Sequence, residues 1–396
     1  MATTEIKSST VAPLLVIAAL TFNLALSFIN ASVFPVNAAY VIAVELCIIG
    51  VSAFMVAGKS ESFYFIALAV LSWLGFAMIV RSSFDAKCVR DAFIPIIFFL
   101  LGRHYGSLKS GDRLVAIALL IVTVGALFEW GFLDTYLKYF DVLGYYQARG
   151  TVDASLGSDG PGLFISGQRF EGRTLLPFLG EHRVSSVFLE PVSLGNFGAI
   201  VFAWVLMRDR GRPLALAWKV ALIALVLILG DARFGIYLCV IIALIYVVAP
   251  LLRPTVIFVA PFLVVVALLF YAGQMVGVPW DNTTTGRFLL SGQLLSTLNL
   301  TQALGLQTTL VDFDDSGYSY ALSQFGLFGA TMLWSFFVYG SPAQNMQAWR
   351  FKLFVCMYLI LILSISTSSM TIKTGALLWF LAGCAAQGLR PAPDAI

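Results

Sequence analysis

Along the chain, long apolar runs alternate with short clusters of charged, Gly and Pro residues, and the runs fall near 11–29, 36–57, 62–80, 88–102, 113–131, 186–206, 214–230, 234–250, 254–275, 319–340, 350–367 and 372–388. Most are close to the roughly 20 residues that an α-helix needs to cross a bilayer core, so the pattern predicts an all-α polytopic membrane protein of about twelve transmembrane helices. The run at 88–102 is the weakest, being short and holding Pro95. The polar stretch Met1 to Thr10 reads as the start of an uncleaved anchor, because further spans follow at once. Two intervening segments, 132–185 and 276–318, are too long to be connectors, and loops of that length inside a compact fold are functional or disordered.

Composition turns the pattern into a class. Hydrophobic residues make up 60% of the 396 and charged residues 11%, against about 45–50% and about a quarter in soluble proteins. Twelve helices would use about 240 positions, close to that hydrophobic share, and the mean hydropathy is +0.91. An ordinary soluble enzyme is excluded, and one bundle over 1–396 is the simplest domain organisation. Of the five cysteines only Cys88 lies outside the core of an apolar run, CxxC and HExxH are lacking, and the histidines are His104 and His182. No disulfide framework, metal or cofactor is therefore expected. A net charge of +3 is too small to imply a nucleic-acid partner.

Lys and Arg set the orientation. With a cytoplasmic N-terminus, the inside loops hold thirteen bases and five acids, and the outside holds eleven bases and fifteen acids. That bias favours both termini inside and the two long loops outside. The first loop carries Trp130, Tyr136, Tyr139, Phe140, Tyr145 and Tyr146 among glycines. Such side chains suit stacking on sugar rings, or an aromatic belt at the interface, with Tyr136 to Phe140 as an amphipathic stretch at the headgroups.

Between residues 149 and 287 every outward base is arginine: Arg149, Arg169, Arg173, Arg183, Arg233 and Arg287. Arg presents a fixed fork of donors that matches phosphate, so the bias suggests oxyanion binding, with a rim of arginines paired to the surplus acids as the structural alternative. Arg233 stands out in Leu229-Gly-Asp-Ala-Arg-Phe-Gly235, a tight turn that places it at a helix N-terminus, where free N–H groups already favour an anion; a local Asp231–Arg233 ion pair is compatible with this. Arg183 and Glu190 are seven residues apart, which on a helix is two turns on one face, and Pro191 would open the helix ladder there. Glu190 is then either a catalytic base or the partner that orients an arginine. The second loop offers Arg287 and the acids Asp312, Asp314 and Asp315, whose DxD likeness is weak because it faces away from the cytoplasmic nucleotide sugars and whose calcium-loop likeness is weak because position twelve is Ser323.

These residues resemble the superfamily of O-antigen ligases and Wzy-type polymerases of bacterial envelope assembly, over roughly residues 60 to 385. The likeness rests on the long outer loop followed by Arg183, Phe188-Leu-Glu-Pro191 and Gly195, on Asp231-Ala-Arg-Phe-Gly235, on Arg287, and on Asp315-Ser-Gly-Tyr318 running on to Gly326-Leu-Phe-Gly329. The resemblance implies a GT-C-like fold in the bacterial inner membrane with two periplasmic loops. It also implies a metal-independent glycosyltransferase whose donor is an undecaprenyl-diphosphate-linked oligosaccharide, inverting at the anomeric carbon. Arg183 and Arg233 match the family's substrate-binding pair, and Arg287 and Tyr318 join them as substrate-binding candidates. Glu190 and Asp315 are the candidates for a catalytic base. The ligase branch carries a histidine in the last long loop; none occurs in 276–318, which favours a polymerase. A chain-length regulator and a flippase of the same pathway would be partners, beside membrane lipid. The competing class is a transporter such as a lipid-linked oligosaccharide flippase, which needs ionisable groups near the midplane, where the sequence shows clearly only Glu45.

Overall fold

The computed structural model describes residues 2–152, 162–163, 165–169, 172–281, 283–313, 315–341 and 343–387. These form an all-helical bundle whose helices are, in order, α1 (Ala2–Ser32), α2 (Ala38–Ala57), α3 (Glu61–Val80), α4 (Ala86–Tyr105), α5 (Leu108–Gly131), α6 (Leu133–Phe140), α7 (Val142–Ala148), α8 (Pro191–Asp209), α9 (Pro213–Leu229), α10 (Arg233–Val248), α11 (Pro254–Gln274), α12 (Thr284–Ser296), α13 (Leu300–Ala303), α14 (Gly317–Gly340), α15 (Met346–Ile362) and α16 (Ile372–Ala386). No strand occurs among the described residues; one isolated bridge joins Gln168 to His182.

Local chemistry fixes the ends. The side chains of Asn37, Ser60, Asp85, Ser107, Ser316 and Asn345 accept from the first free N–H groups of α2, α3, α4, α5, α14 and α15. Proline opens α8, α9 and α11, where its missing donor costs nothing.

A helix occupies each of the twelve predicted runs, and eight helices among the described residues are long and apolar enough to cross a membrane: α1, α2, α3, α5, α8, α10 together with the 3-10 turn that carries it on to Leu251, α11 and α14. The other four fall short of that measure. Lys87, Arg90, Asp91 and Arg103 make α4 too charged, while α9, α15 and α16 have 17, 17 and 15 residues. The protein is thus a polytopic membrane protein.

Burial runs opposite to hydrophobicity, as expected with lipid as solvent. The most apolar helices, α2, α3, α10 and α11, lie at the rim, where α2, α3 and α11 expose Phe54, Phe65, Leu68 and Phe270. The shorter α16 is buried along its length and packs closely on α4, where Gly102 lies against the Phe380 carbonyl and Gly383 against that of Phe99. Small residues at such crossings let helix backbones touch where no hydrophobic effect drives association.

Helix α14 is broken at Gly326, whose φ of 70° and ψ of 161° leave the helical region. The break frees three carbonyls, and distant side chains take them up: Arg81 donates to those of Ser323 and Gln324 at 3.4 and 3.5 Å, and Trp73 to that of Phe325 at 2.6 Å. The Cys88 thiol adds a second bond to Gln324. An unpaired carbonyl in hydrocarbon costs several kcal/mol, roughly the value of a lost hydrogen bond without water to replace it, so α3 and α4 make the break tolerable. Beside it lies a cavity of about 550 Å³, lined by Asp91, Pro95, Phe99, Tyr318, Phe325 and Trp334 among others.

Candidate functional site

The segment between α5 and α8 folds onto one end of the bundle. Glu129, in the last turn of α5 and 1% exposed, accepts from the backbone N–H groups of Ser185 at 2.9 Å and Ser186 at 2.6 Å, and pairs with His182 Nε2 at 3.0 Å. Arg183 lies inside that pinned stretch. The Tyr136 hydroxyl donates to the Ser186 carbonyl at 2.9 Å and the Ser186 hydroxyl to that of Val122 at 2.7 Å. Held this way, Ser186 and Leu189 take positive φ values of 53° and 62° around a single 3-10 turn, Ser186–Phe188.

That geometry corrects three expectations. Arg183 and Glu190 do not share a helical face, because α8 begins only at Pro191 and the seven residues before it are loop and 3-10 turn. Pro191 is the first helical residue and breaks no ladder. Half of the loop's six aromatic residues are not free for a sugar: Tyr136, Tyr145 and Tyr146 are buried, and the Tyr145 hydroxyl donates to Asn23 at 2.7 Å. Tyr139 and Trp130 stay exposed.

Four arginines converge on the turn between α9 and α10. Asp231, fully buried with φ of 44°, faces Arg169 at 3.1 Å and Arg183 at 4.0 Å, and accepts from the Leu175 N–H at 2.8 Å. The Asp231 carboxylate is therefore directed at the loop and not at Arg233, contrary to the local ion pair considered from the sequence. Arg183 also donates to the carbonyls of Ser166 at 2.9 Å and Gly230 at 3.3 Å. Arg173 donates to those of His182 at 2.8 Å, Leu229 at 2.9 Å and Ile228. The Arg233 guanidinium, half-buried at the first position of α10, has no hydrogen bond or ion pair among the described residues, and no side chain caps that helix.

Like charges strain this cluster. Burial first, then Arg169, pulls the Arg183 guanidinium down to about 10, against the pull of Asp231, with Arg233 and Arg173 adding to the repulsion. Arg183 is still charged at neutral pH, so the shift measures the cost of holding it there. Burial also lowers Arg173. Close helix packing places Arg233 beside α8: a Cβ on Gly235 would sit 2.6 Å from the Gly195 carbonyl, so both glycines are needed for the approach.

Glu190 belongs to a second group. Its Oε1 accepts from Lys373 Nζ at 2.9 Å and from the Ser193 hydroxyl at 2.6 Å, and the carboxylate keeps 26% of its surface exposed. Burial by itself would push the Glu190 carboxyl up, but Lys373, with the Ser193 hydroxyl, holds it below the usual range. Arg149, stacked on Tyr145 at 5.3 Å and Tyr146 at 5.5 Å, adds to that field. Lys373, the first cation of α16, was missed by the sequence reading, although a lone lysine in an apolar run is a signal in itself. Glu129 was missed in the same way.

The second long segment stands apart. Arg287 in α12 pairs with Asp315 at 3.1 Å, both partly exposed at 32% and 52%. Helix α12 packs on α11 and α14. Tyr318 is buried in the first turn of α14, donates to the Ile360 carbonyl at 3.0 Å, and its ring lines the large cavity. Asp314 of the DxD lies outside the described residues, and no group of three metal-ligating side chains occurs among those described.

Comparison of the chain with protein-family models, curated proteins and solved structures returns no match.

Proposed function

We propose that this protein is a membrane glycosyltransferase of the polysaccharide-polymerase type, joining undecaprenyl-diphosphate-linked oligosaccharide units with the lipid diphosphate as leaving group. The observation that carries the reading is the charge surplus at the α9–α10 turn, where four arginines meet one buried carboxylate and the Arg233 guanidinium has no partner among the described residues. Among the described residues the guanidinium groups at this helix N-terminus outnumber the carboxylate they meet, and such an excess in a partly dehydrated place suits a diphosphate and its developing charge as it leaves. Arg233 and Arg183 would bind it, and Glu190, set beside them in sequence, is the nearer candidate to take a proton from the attacking hydroxyl. Its low basicity is acceptable because a diphosphate leaves readily. On this reading α4, α9, α15 and α16 complete twelve spans, both termini are cytoplasmic, and the arginine end faces the periplasm of a bacterial inner membrane; an O-antigen ligase would use the same residues.

One observation favours the transporter class. Discontinuous helices and buried ionisable groups mark transport pathways. Besides broken α14, the bundle holds Arg90 against Glu45 and Asp91, each at 2.8 Å, with the Tyr320 hydroxyl on Asp91 at 2.8 Å, so Glu45 is not alone among buried acids. Lipid-linked oligosaccharide added to the purified protein in detergent separates the readings. A polymerase lengthens the glycan without a sealed membrane, and Arg233→Ala abolishes it; unchanged glycan length with wild-type protein rejects the proposal.

A further inference from the structure

At the end of the bundle opposite the arginine loop, two cations share one aromatic ring. The guanidinium carbon of Arg350, the fifth residue of α15, lies 3.9 Å from the centre of the Tyr246 ring, and that of Arg210, just past α8, lies 4.9 Å from it. Neither guanidinium has a hydrogen bond or ion pair among the described residues, and the buried Arg350 Nε lacks an acceptor. Two carboxylates at this end are already taken: Asp112 holds Arg208 at 2.8 and 2.9 Å, and Asp209 holds Lys219 at 2.6 Å. A ring attracts each cation but does nothing to screen one from the other.

We infer that Arg350, Arg210 and Tyr246 form a binding site for the phosphate of an anionic membrane phospholipid. An anion between the two guanidinium groups would supply the missing counter-charge and an acceptor for Arg350 Nε. The phospholipid is favoured as its source by position. Tyr246 is in the last turn of α10, which together with the 3-10 turn after it is long and apolar enough to cross the bilayer, so its ring lies where the hydrocarbon meets the headgroups. Orientation bias alone does not account for the arrangement, since it is met by any Lys or Arg in a loop, as by exposed Arg212 and Arg253, and requires neither stacking nor burial.

The test is lipid retention by the purified full-length protein, read by native mass spectrometry with phosphatidylglycerol, phosphatidylcholine or inorganic phosphate supplied in detergent. Wild-type protein is expected to retain phosphatidylglycerol selectively, and Arg350→Gln with Arg210→Gln to retain it at least about tenfold less tightly, one charged hydrogen bond being worth about that factor. Should the double variant fail to fold, Arg210→Gln alone, at an exposed position, is expected to lose about threefold. Equal retention by wild type and variant overturns the inference. So does equal retention of phosphatidylcholine, and so does binding of inorganic phosphate without lipid, which would make the site one for a free anion.

Discussion

The two long segments at the arginine end solve the same problem, charge beside a membrane, in opposite ways. In the second, Arg287 and Asp315 balance each other at the surface, in an arrangement whose contribution to stability is about 0–1 kcal/mol. In the first, Arg169, Arg173, Arg183 and Arg233 outnumber Asp231, and three of them are tied to the loop, the turn or both by hydrogen bonds or an ion pair. Glu129, Tyr136 and several backbone carbonyls hold the arginines of the first in place, an arrangement that suits an anionic ligand under the proposed function.

Substitutions can break that contrast. Asp231→Ala is expected to have the largest effect, because it leaves buried arginines without their counter-charge, at a cost of about 3–5 kcal/mol; loss of folded protein in size-exclusion chromatography is the readout. Arg233→Ala should instead leave protein level unchanged and lower polymer formation by about 10²–10³-fold, the usual effect of removing one positioned donor. Normal polymer length in this variant would show that the surplus is structural. Glu129→Gln keeps the shape but loses the charge that gathers Ser185, Ser186 and His182, so the unfolding midpoint in detergent should drop by an amount equivalent to about 1–3 kcal/mol.

Smaller effects sharpen the comparison. The Glu190 carboxyl is lowered in the folded protein, so its pair with Lys373 stabilises above the ordinary carboxylate range, and that contribution is lost as pH falls through the lowered value. In Lys373→Met burial acts unopposed by the lysine and the carboxyl moves up, so the stability lost on acidification should shrink or change sign in thermal unfolding followed between about pH 3 and pH 7. A midpoint curve unchanged by the substitution would remove Lys373 as the cause. Arg287→Ala should change activity no more than a few-fold and stability by under about 1 kcal/mol; a loss as deep as that of Arg233→Ala would bring the second segment into the same site.

The helices were legible because apolar runs report directly on lipid, and every predicted run holds one. The turn Gly230-Asp-Ala-Arg233 was legible as well, since a short polar break between two runs can be little else. What the sequence hid is pairing across distance. Glu190 meets a lysine 183 positions later, and Asp231 looks to residues about sixty positions earlier rather than to Arg233. Periodicity also misled where helix had not begun: counting two turns from Arg183 to Glu190 assumed a helix, and Glu129, reaching over from α5, holds that backbone in another shape.

The break in α14 has a consequence for how the molecule is made. Three of its carbonyls depend on Trp73, Arg81 and Cys88, residues synthesised about 240 positions earlier. The α3–α4 hairpin therefore enters the membrane long before its guest exists, carrying an arginine and an indole with their acceptors still to come. When α14 arrives, it can settle only against that waiting template, so the two parts of the chain act as a lock and its late key, and co-expressed halves divided between them should find each other in the membrane.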